Sequence, residues 1–245
     1  MPRFFMEAEQ IGRDTAVISG GDAEHIKVLR LKTGDELTVC DGRGTDYRCR
    51  IRRFAQGLVE TEILSSGPCP AEPSVRCTIL AGLPKQGERA DYIVQKCVES
   101  GAAEIVFFLC KRCVARPDAK GLEKKLQRWQ RIAEEAAKQS GRGVIPQVGA
   151  VTRFAEALDL AKQTELPLFM YETGERVTLK SVLDAAGAIR TAAIITGPEG
   201  GFEAEEAAQA AAAGIRLCSM GPRILRCETA PVTALTALMY ASGNL

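Results

Sequence analysis

The sequence predicts an α/β protein in two parts: a small β-rich N-terminal domain, then a parallel sheet covered by helices. Three observations carry this. Short strand-like segments crowd residues 15–64. The stretch Ser65-Ser66-Gly67-Pro68-Cys69-Pro70-Ala71-Glu72-Pro73 holds three prolines and a glycine, which break helix and strand periodicity alike. Beyond it, apolar runs alternate with amphipathic stretches, the pattern of strand–helix units. The division expected is 1–70 and 74–245, and a chain of 245 residues is long enough for two cores.

In the first part Thr15–Ser19, Glu36–Cys40, Asp46–Phe54 and Leu58–Leu64 read as strands. Asp41-Gly42-Arg43-Gly44 is a hairpin signal between the second and third. Ala23–Leu31 reads as a helix closed by Gly34. Short strands around one helix predict a small barrel. Within Asp46–Phe54, Arg48, Arg50 and Arg52 alternate with Tyr47, Cys49 and Ile51, so period two sets the arginines on one face. That face is either a stripe that tracks phosphates or an ordinary solvated surface.

In the second part Val75–Gly82, Glu104–Leu109, Leu166–Tyr171, Ala192–Thr196 and Ile215–Met220 read as strands, and Leu166–Tyr171 and Ala192–Thr196 are apolar enough to be buried parallel strands. Ala90, Ile93, Val94, Cys97 and Val98 recur at helical spacing in Glu88–Ser100, and Gly101 follows as the C-terminal stop. Leu122, Leu126, Trp129, Ala133, Ala136 and Ala137 mark a long amphipathic helix. Further helices are expected around Lys180–Ala186 and over Ala204–Ala213, the latter ended by Gly214. Thr229–Ala241 is a last helix, apolar nearly all round, and therefore buried in the core or in a subunit interface.

Composition narrows the function. Apolar residues make up 46% and charged residues 26%, which excludes disordered and collagen-like classes. No apolar run approaches the ~18 residues of a membrane span. The N-terminus shows no signal-peptide stretch, so the expectation is a cytoplasmic protein. Nine cysteines without secretory context read as buried hydrophobes. Cys110 and Cys113 have C-x-x-C spacing, but a second pair is missing and His25 is the one histidine, so no metal site is expected. The net charge of +1 is unevenly spread: residues 111–142 hold ten basic against four acidic residues, a net of +6. Such a face suits a polyanion, or is simply a solvated helix face.

Open parallel sheets bind ligands beyond the carboxyl ends of their strands. Two unusual loops fall there, each between a strand and a helix. One is Thr196-Gly197-Pro198-Glu199-Gly200-Gly201-Phe202; the other runs Met220-Gly221-Pro222-Arg223-Ile224-Leu225-Arg226-Cys227-Glu228-Thr229-Ala230. Neither matches a P-loop or a dinucleotide fingerprint, which lowers nucleoside triphosphate hydrolysis and ordinary hydride transfer.

These residues carry a resemblance. The second half resembles the SPOUT superfamily of S-adenosylmethionine-dependent RNA methyltransferases, whose fold contains a trefoil knot. Nearly the whole chain is similar to the ribosomal small subunit methyltransferase E family, which methylates N3 of one uridine in 16S rRNA. The likeness runs through Arg3-Phe4-Phe5, His25 with Leu29-Arg30, Lys85, 91–101, Ala137 with Gln139, Ser140 and Arg142, and the two loops above. It departs at Ser100, Phe108, Cys113 and Pro222. The resemblance implies a PUA-like β-barrel for RNA, a SPOUT parallel sheet with a C-terminal knot, a homodimer, and assembled small subunits as substrate.

The resemblance also implies roles. Thr196, Gly197, Pro198, Gly200 and Gly201, with Met220, Gly221, Thr229 and Ala230, would hold S-adenosylmethionine, largely through backbone groups. Leu217, Ile224 and Leu225 would pack on its adenine. Tyr171 would close the pocket, or is a half-buried aromatic at a strand end. The uridine imide must lose its proton, so a base or a charge-stabilising group is needed. Arg226, which stays protonated, is assigned the charge and also a cofactor contact. Glu199 and Glu228 are candidate bases, or carboxylates bonded within the loops. Arg3, His25, Arg30, Arg48, Arg50, Lys85, Gln139 and Arg142 are the expected RNA contacts. The rivals are a non-catalytic RNA-binding protein, a methyltransferase acting on another RNA position, and a nucleotide-dependent oxidoreductase.

Overall fold

The computed structural model describes residues 1–174 and 176–245. The chain divides into two compact units, Met1–Glu72 with Ala137–Ile145, and Pro73–Ala136 with Pro146–Leu245.

The first unit is a five-stranded sheet in the order β1-β3-β4-β5-β2. Its strands are β1 (Arg3–Phe5), β2 (Thr15–Ile18), β3 (Glu36–Cys40), β4 (Thr45–Ala55) and β5 (Leu58–Pro68). β1 joins β3 in parallel and the other pairs are antiparallel. Its core packs Phe4, Ile18, Leu37, Val39, Cys49, Ile51 and Val59 with Ile26 of helix α1 (Gly20–Val28). The alternation in β4 holds, with Cys49 and Ile51 buried and Arg48, Arg50 and Arg52 exposed.

Two expectations change here. β5 does not stop at Leu64 but continues through Ser65-Ser66-Gly67-Pro68, paired with Thr45–Arg48. A proline at a strand's last position breaks no interior ladder bond. Helix α1 is closed by Arg30, not Gly34. Arg30 has φ 58, and the amides of Arg30 and Leu31 reach the carbonyls of Lys27 and Ile26 at 2.9 and 3.3 Å. This is the two-bond helix stop that usually carries glycine.

Residues 137–145, which the sequence division gave to the second part, belong to the first unit. One carboxylate explains it. Glu72 accepts from both Nε and Nη2 of Arg142 at 2.9 Å, from the amide of Gly143 at 2.7 Å and from that of Val144 at 3.0 Å.

The second unit is a seven-stranded, all-parallel sheet in the order β10-β12-β9-β11-β6-β7-β8. In chain order it runs β6 (Arg76–Gly82), α2 (Gly87–Glu99), β7 (Glu104–Phe108), α3 (Ala119–Ser140), β8 (Gln147–Val151) and α4 (Phe154–Ala161). Then come β9 (Leu166–Met170), β10 (Val177–Thr178), α5 (Leu179–Ala185), β11 (Thr191–Thr196), α6 (Ala204–Ala212), β12 (Arg216–Ser219) and α7 (Thr229–Ala241). The sequence reading assigns nothing to β8 and α4. β8 is an end strand whose Gln, Gly and Ala give no alternation, and α4 has only eight residues. Strand order reverses between β6 and β11: β7 and β8 build to one side, and β9, β12 and β10 to the other.

Candidate cofactor cleft and nucleic-acid contacts

The carboxyl ends of three adjacent strands, β12, β9 and β11, open onto one cleft of about 310 Å³. This is within the usual range for a small-molecule site. Both unusual loops line it. Thr196, Gly197, Pro198, Glu199 and Gly201 come from the first; Met220, Gly221, Ile224, Leu225, Arg226 and Ala230 come from the second. Tyr171, just beyond β9, lines it too, and its amide is held by the carbonyl of Cys218 at 2.9 Å.

Three expected cofactor residues stand apart. Gly200 lines an adjoining cleft of about 210 Å³ together with Lys85, Arg89, Arg112 and Val114. Leu217 does not line the main cleft; Cys218, Ser219 and Met220, at and just beyond the carboxyl end of β12, do. Thr229 is exposed at the start of α7, where its amide closes on the carbonyl of Arg226 at 2.9 Å.

The first loop is held from several sides. Phe202 is buried in an aromatic cluster, 4.3 Å from Phe169 and 5.8 Å from Phe154 between ring centroids. Gly82, at the end of β6, gives the loop its floor: a Cβ there would stand 2.5 Å from Pro198 Cδ. Gly201 takes φ 66, and a Cβ on it would stand 2.8 Å from a Glu172 carboxylate oxygen. Glu199 ties the loop to α2, accepting from the Lys85 amide at 3.1 and 3.2 Å and from Arg89 at 3.1 Å.

Arg89 is the residue that sequence reasoning missed. It lies on α2, lines both clefts, and stands between the two candidate bases, with Glu228 at 3.8 Å. Burial works to raise the Glu228 carboxyl. Its own backbone amide, Cys227, Arg89 and Arg226 together hold it below the ordinary carboxylate range. The i, i+3, i+4 pattern of α2 showed which residues face the core, but not what its polar side meets.

Two observations fit a polar, partly apolar ligand such as S-adenosylmethionine. The Thr196 hydroxyl is buried in the cleft wall with no hydrogen-bond partner among the described residues, an arrangement that is costly unless a ligand or water completes it. Ile224 is 83% exposed on the same cleft, an apolar surface awaiting cover.

The expected RNA contacts divide. Arg142 is buried, 3% exposed, and bound to Glu72. Arg3 grips Asp46 through two 2.6 Å bonds. Both serve the architecture of the first unit, because a guanidinium committed to an internal carboxylate is not presented to a phosphate. Arg48 and Arg50 are exposed but share one carboxylate, Glu36, at 2.7 and 3.0 Å, and Arg52 pairs with Glu62, so the stripe of three arginines is partly neutralised by the strands on either side. His25 and Arg30 are exposed on the first unit beside the exposed Val28 and Leu29. Gln139 is exposed at the end of α3, and Lys85 is exposed on the second unit. Among the described residues no cluster of ligands suits a metal ion, and no helix is long and apolar enough to cross a membrane.

Residues 71–239 match the model of an RNA methyltransferase domain, and residues 18–53 that of an RNA methyltransferase PUA domain. Ribosomal RNA small subunit methyltransferase E of Bacillus subtilis is 32% identical over 100% of this chain and 98% of its own. The Synechocystis protein of the same name is also 32% identical, over 96% of this chain and 76% of its own. The crystal structure of the Neisseria gonorrhoeae protein of that name, bound to S-adenosyl methionine, superposes with a TM-score of 0.84 at 30% identity, covering 98% of this chain and 97% of that one. A full-length match in sequence and in fold, with both loops gathered on one cleft, shows that the chain belongs to the ribosomal RNA small subunit methyltransferase E family.

Proposed function

We propose that the protein transfers a methyl group from S-adenosylmethionine to N3 of one uridine in 16S rRNA of the assembled small ribosomal subunit. The observation that carries this is the single cleft built by both loops, with the Thr196 hydroxyl unpartnered in its wall. We read the β9–α7 region as the SPOUT trefoil knot and the chain as a cytoplasmic homodimer that needs no metal. Thr229, Thr233, Thr236 and Tyr240 form an exposed strip on α7, which supports pairing through that helix. The 1–72 unit is read as the PUA-like RNA-binding domain.

When bound, S-adenosylmethionine supplies an electrophilic methyl group on a sulfonium. Thr196 and the loop amides orient it, Ile224 and Leu225 cover its apolar part, and Tyr171 bounds the cleft. Positioning of this kind supplies much of the acceleration. Arg226, exposed on the cleft, stabilises negative charge on a uracil carbonyl as N3 loses its proton. Glu199 acts by positioning: its oxygens accept from the Lys85 amide and from Arg89, which ties the loop to α2. His25, Arg30, Lys85 and Gln139 carry the RNA contacts.

The test incubates small subunits lacking the modification with protein and labelled S-adenosylmethionine, then identifies methylated nucleosides by mass spectrometry. N3-methyluridine at one site is expected. No transfer, with cofactor binding intact, overturns the substrate assignment. Arg226→Ala should lower turnover by about 10²-fold or more while leaving the melting temperature near wild type and keeping most of the cofactor affinity; near-normal turnover refutes its role.

A further inference from the structure

Two thiols beside the cleft have no part in that reaction. Past β7 the chain makes a tight turn, Cys110-Lys111-Arg112-Cys113, closed by the Cys113 amide on the Cys110 carbonyl at 3.2 Å. A turn of this kind brings its first and last Cα atoms within ~7 Å, and disulfides span ~4.4–6.8 Å. The sulfurs are already 3.5 Å apart, and each residue is 4% exposed. The Cys110 amide also points at the Cys113 sulfur, at 3.4 Å.

The pair is chemically unequal. The thiol–thiol contact with Cys110, helped by the amides of Cys110 and Leu83 and by Arg116, holds the Cys113 thiol below the ordinary cysteine range against the effect of burial. Burial raises the thiols of Cys40, Cys49, Cys69, Cys77, Cys97, Cys218 and Cys227. Thiolate is the reactive form, so Cys113 is the sulfur set to react first.

The two central residues of the turn hold the first loop. Arg112 donates to the Gly200 carbonyl at 2.7 Å and to Glu203 at 2.9 and 3.2 Å. The Lys111 amide donates to the buried Glu206 at 2.8 Å. A Cβ on Gly200 would stand 3.1 Å from Arg112 Cβ, so loop and turn are in close contact. Closing the sulfurs from 3.5 Å to the ~2.05 Å of a disulfide brings them about 1.5 Å nearer and ties the two ends of the turn covalently. Lys111 and Arg112 are then confined within the closed ring.

We propose that Cys110 and Cys113 form a reversible dithiol–disulfide pair, oxidised by hydrogen peroxide, whose oxidation weakens cofactor binding at the 197–201 loop. The second half of this rests on the cofactor reading of that loop. The Cys113 thiolate attacks one peroxide oxygen; the O–O bond breaks, and hydroxide leaves and takes up a proton as water. Cys110 gives up its proton and attacks the resulting sulfenic sulfur; the S–S bond forms, the S–O bond breaks, and a second water leaves. The two thiols lose two electrons and the peroxide gains them.

The test treats the full chain with hydrogen peroxide, alkylates the remaining thiols, and reads intact and peptide masses. S-adenosylmethionine is titrated calorimetrically before oxidation, after it, and after dithiothreitol. Expected are a loss of about 2 Da within the 110–113 peptide and alkylation of the other cysteines. The dissociation constant should rise about ten-fold, the factor for one lost hydrogen bond to a charged group, and be restored by reduction. Cys113→Ser should bind like the reduced protein and be insensitive to peroxide. Sulfinic acid at Cys113 without a cross-link, or a cross-link that leaves the affinity unchanged, overturns the proposal. Absence of cofactor binding in the reduced protein is the separate mark of a wrong functional reading, and the masses still decide the pair.

Discussion

Gly82→Ala tests whether the cleft depends on close backbone packing beneath the first loop. The new Cβ would stand 2.5 Å from Pro198 Cδ, 2.7 Å from Pro198 N and 3.1 Å from the Gly197 carbonyl carbon, where ordinary contact begins at 3.4 Å. Backbone and ring atoms cannot rotate aside, so the loop must retreat by about 1 Å, and overpacking of this kind costs about 1–3 kcal/mol. The loop cannot shift as a block, because Phe202 is buried among aromatic rings and Glu199 is bound to Lys85 and Arg89. The strain therefore distorts 197–198, in the cleft wall. Carried wholly into binding, it weakens S-adenosylmethionine by roughly 5- to 150-fold. Carried into folding, it lowers the melting temperature by roughly 2–4 °C per kcal/mol. Calorimetric titration and a thermal melt measure the two shares. Wild-type affinity together with a wild-type melting temperature would refute the reasoning.

Three further outcomes follow from particular residues. Arg30→Gly relieves a left-handed backbone that costs an arginine about 1–2 kcal/mol; it should stabilise the fold by about 1 kcal/mol in denaturant titration, yet weaken RNA binding and reduce its salt slope by about one. Glu72→Ala strips the carboxylate from buried Arg142 and from the amides of Gly143 and Val144. Such losses cost about 3–5 kcal/mol, so chemical denaturation should show the drop and proteolysis near 137–145 should accelerate. Glu228 is held below its ordinary value of 4.5, so the native state favours the ionised form. Its contribution is complete above pH ~4.5 and is lost as pH falls through the lowered native value; Glu228→Gln should flatten that limb of a stability–pH curve, and an unchanged limb would refute the assignment.

Where periodicity was strong, the fold was legible. Helix α7 matches its expected bounds, and α2 buries the five residues that its spacing marked. The two loops were legible as a site because glycine and proline at successive strand ends have few structural uses. Arg89 was not, because its partners Glu199 and Glu228 lie more than a hundred residues away. The carboxylate partners of Arg3 and Arg142 were not legible for the same reason: a basic residue in a motif looks alike whether it meets a phosphate or an internal carboxylate. Arg48 and Arg50 are on the predicted face, but the register of β3 against β4 sets Glu36 beside them.

Local sequence by itself determined the alternating elements, the β-rich beginning and the chemistry of the two loops, since period and turn residues act over a few positions. Only the tertiary structure decided that strands β12, β9 and β11 lie side by side, so that two loops separated in the chain by α6 and β12 share one cleft. It also decided that 137–145 belongs with the first unit, and which charges are presented and which are paired. The physical reason is that strand order and ion pairing are settled by contacts distant in sequence, where no local preference reaches.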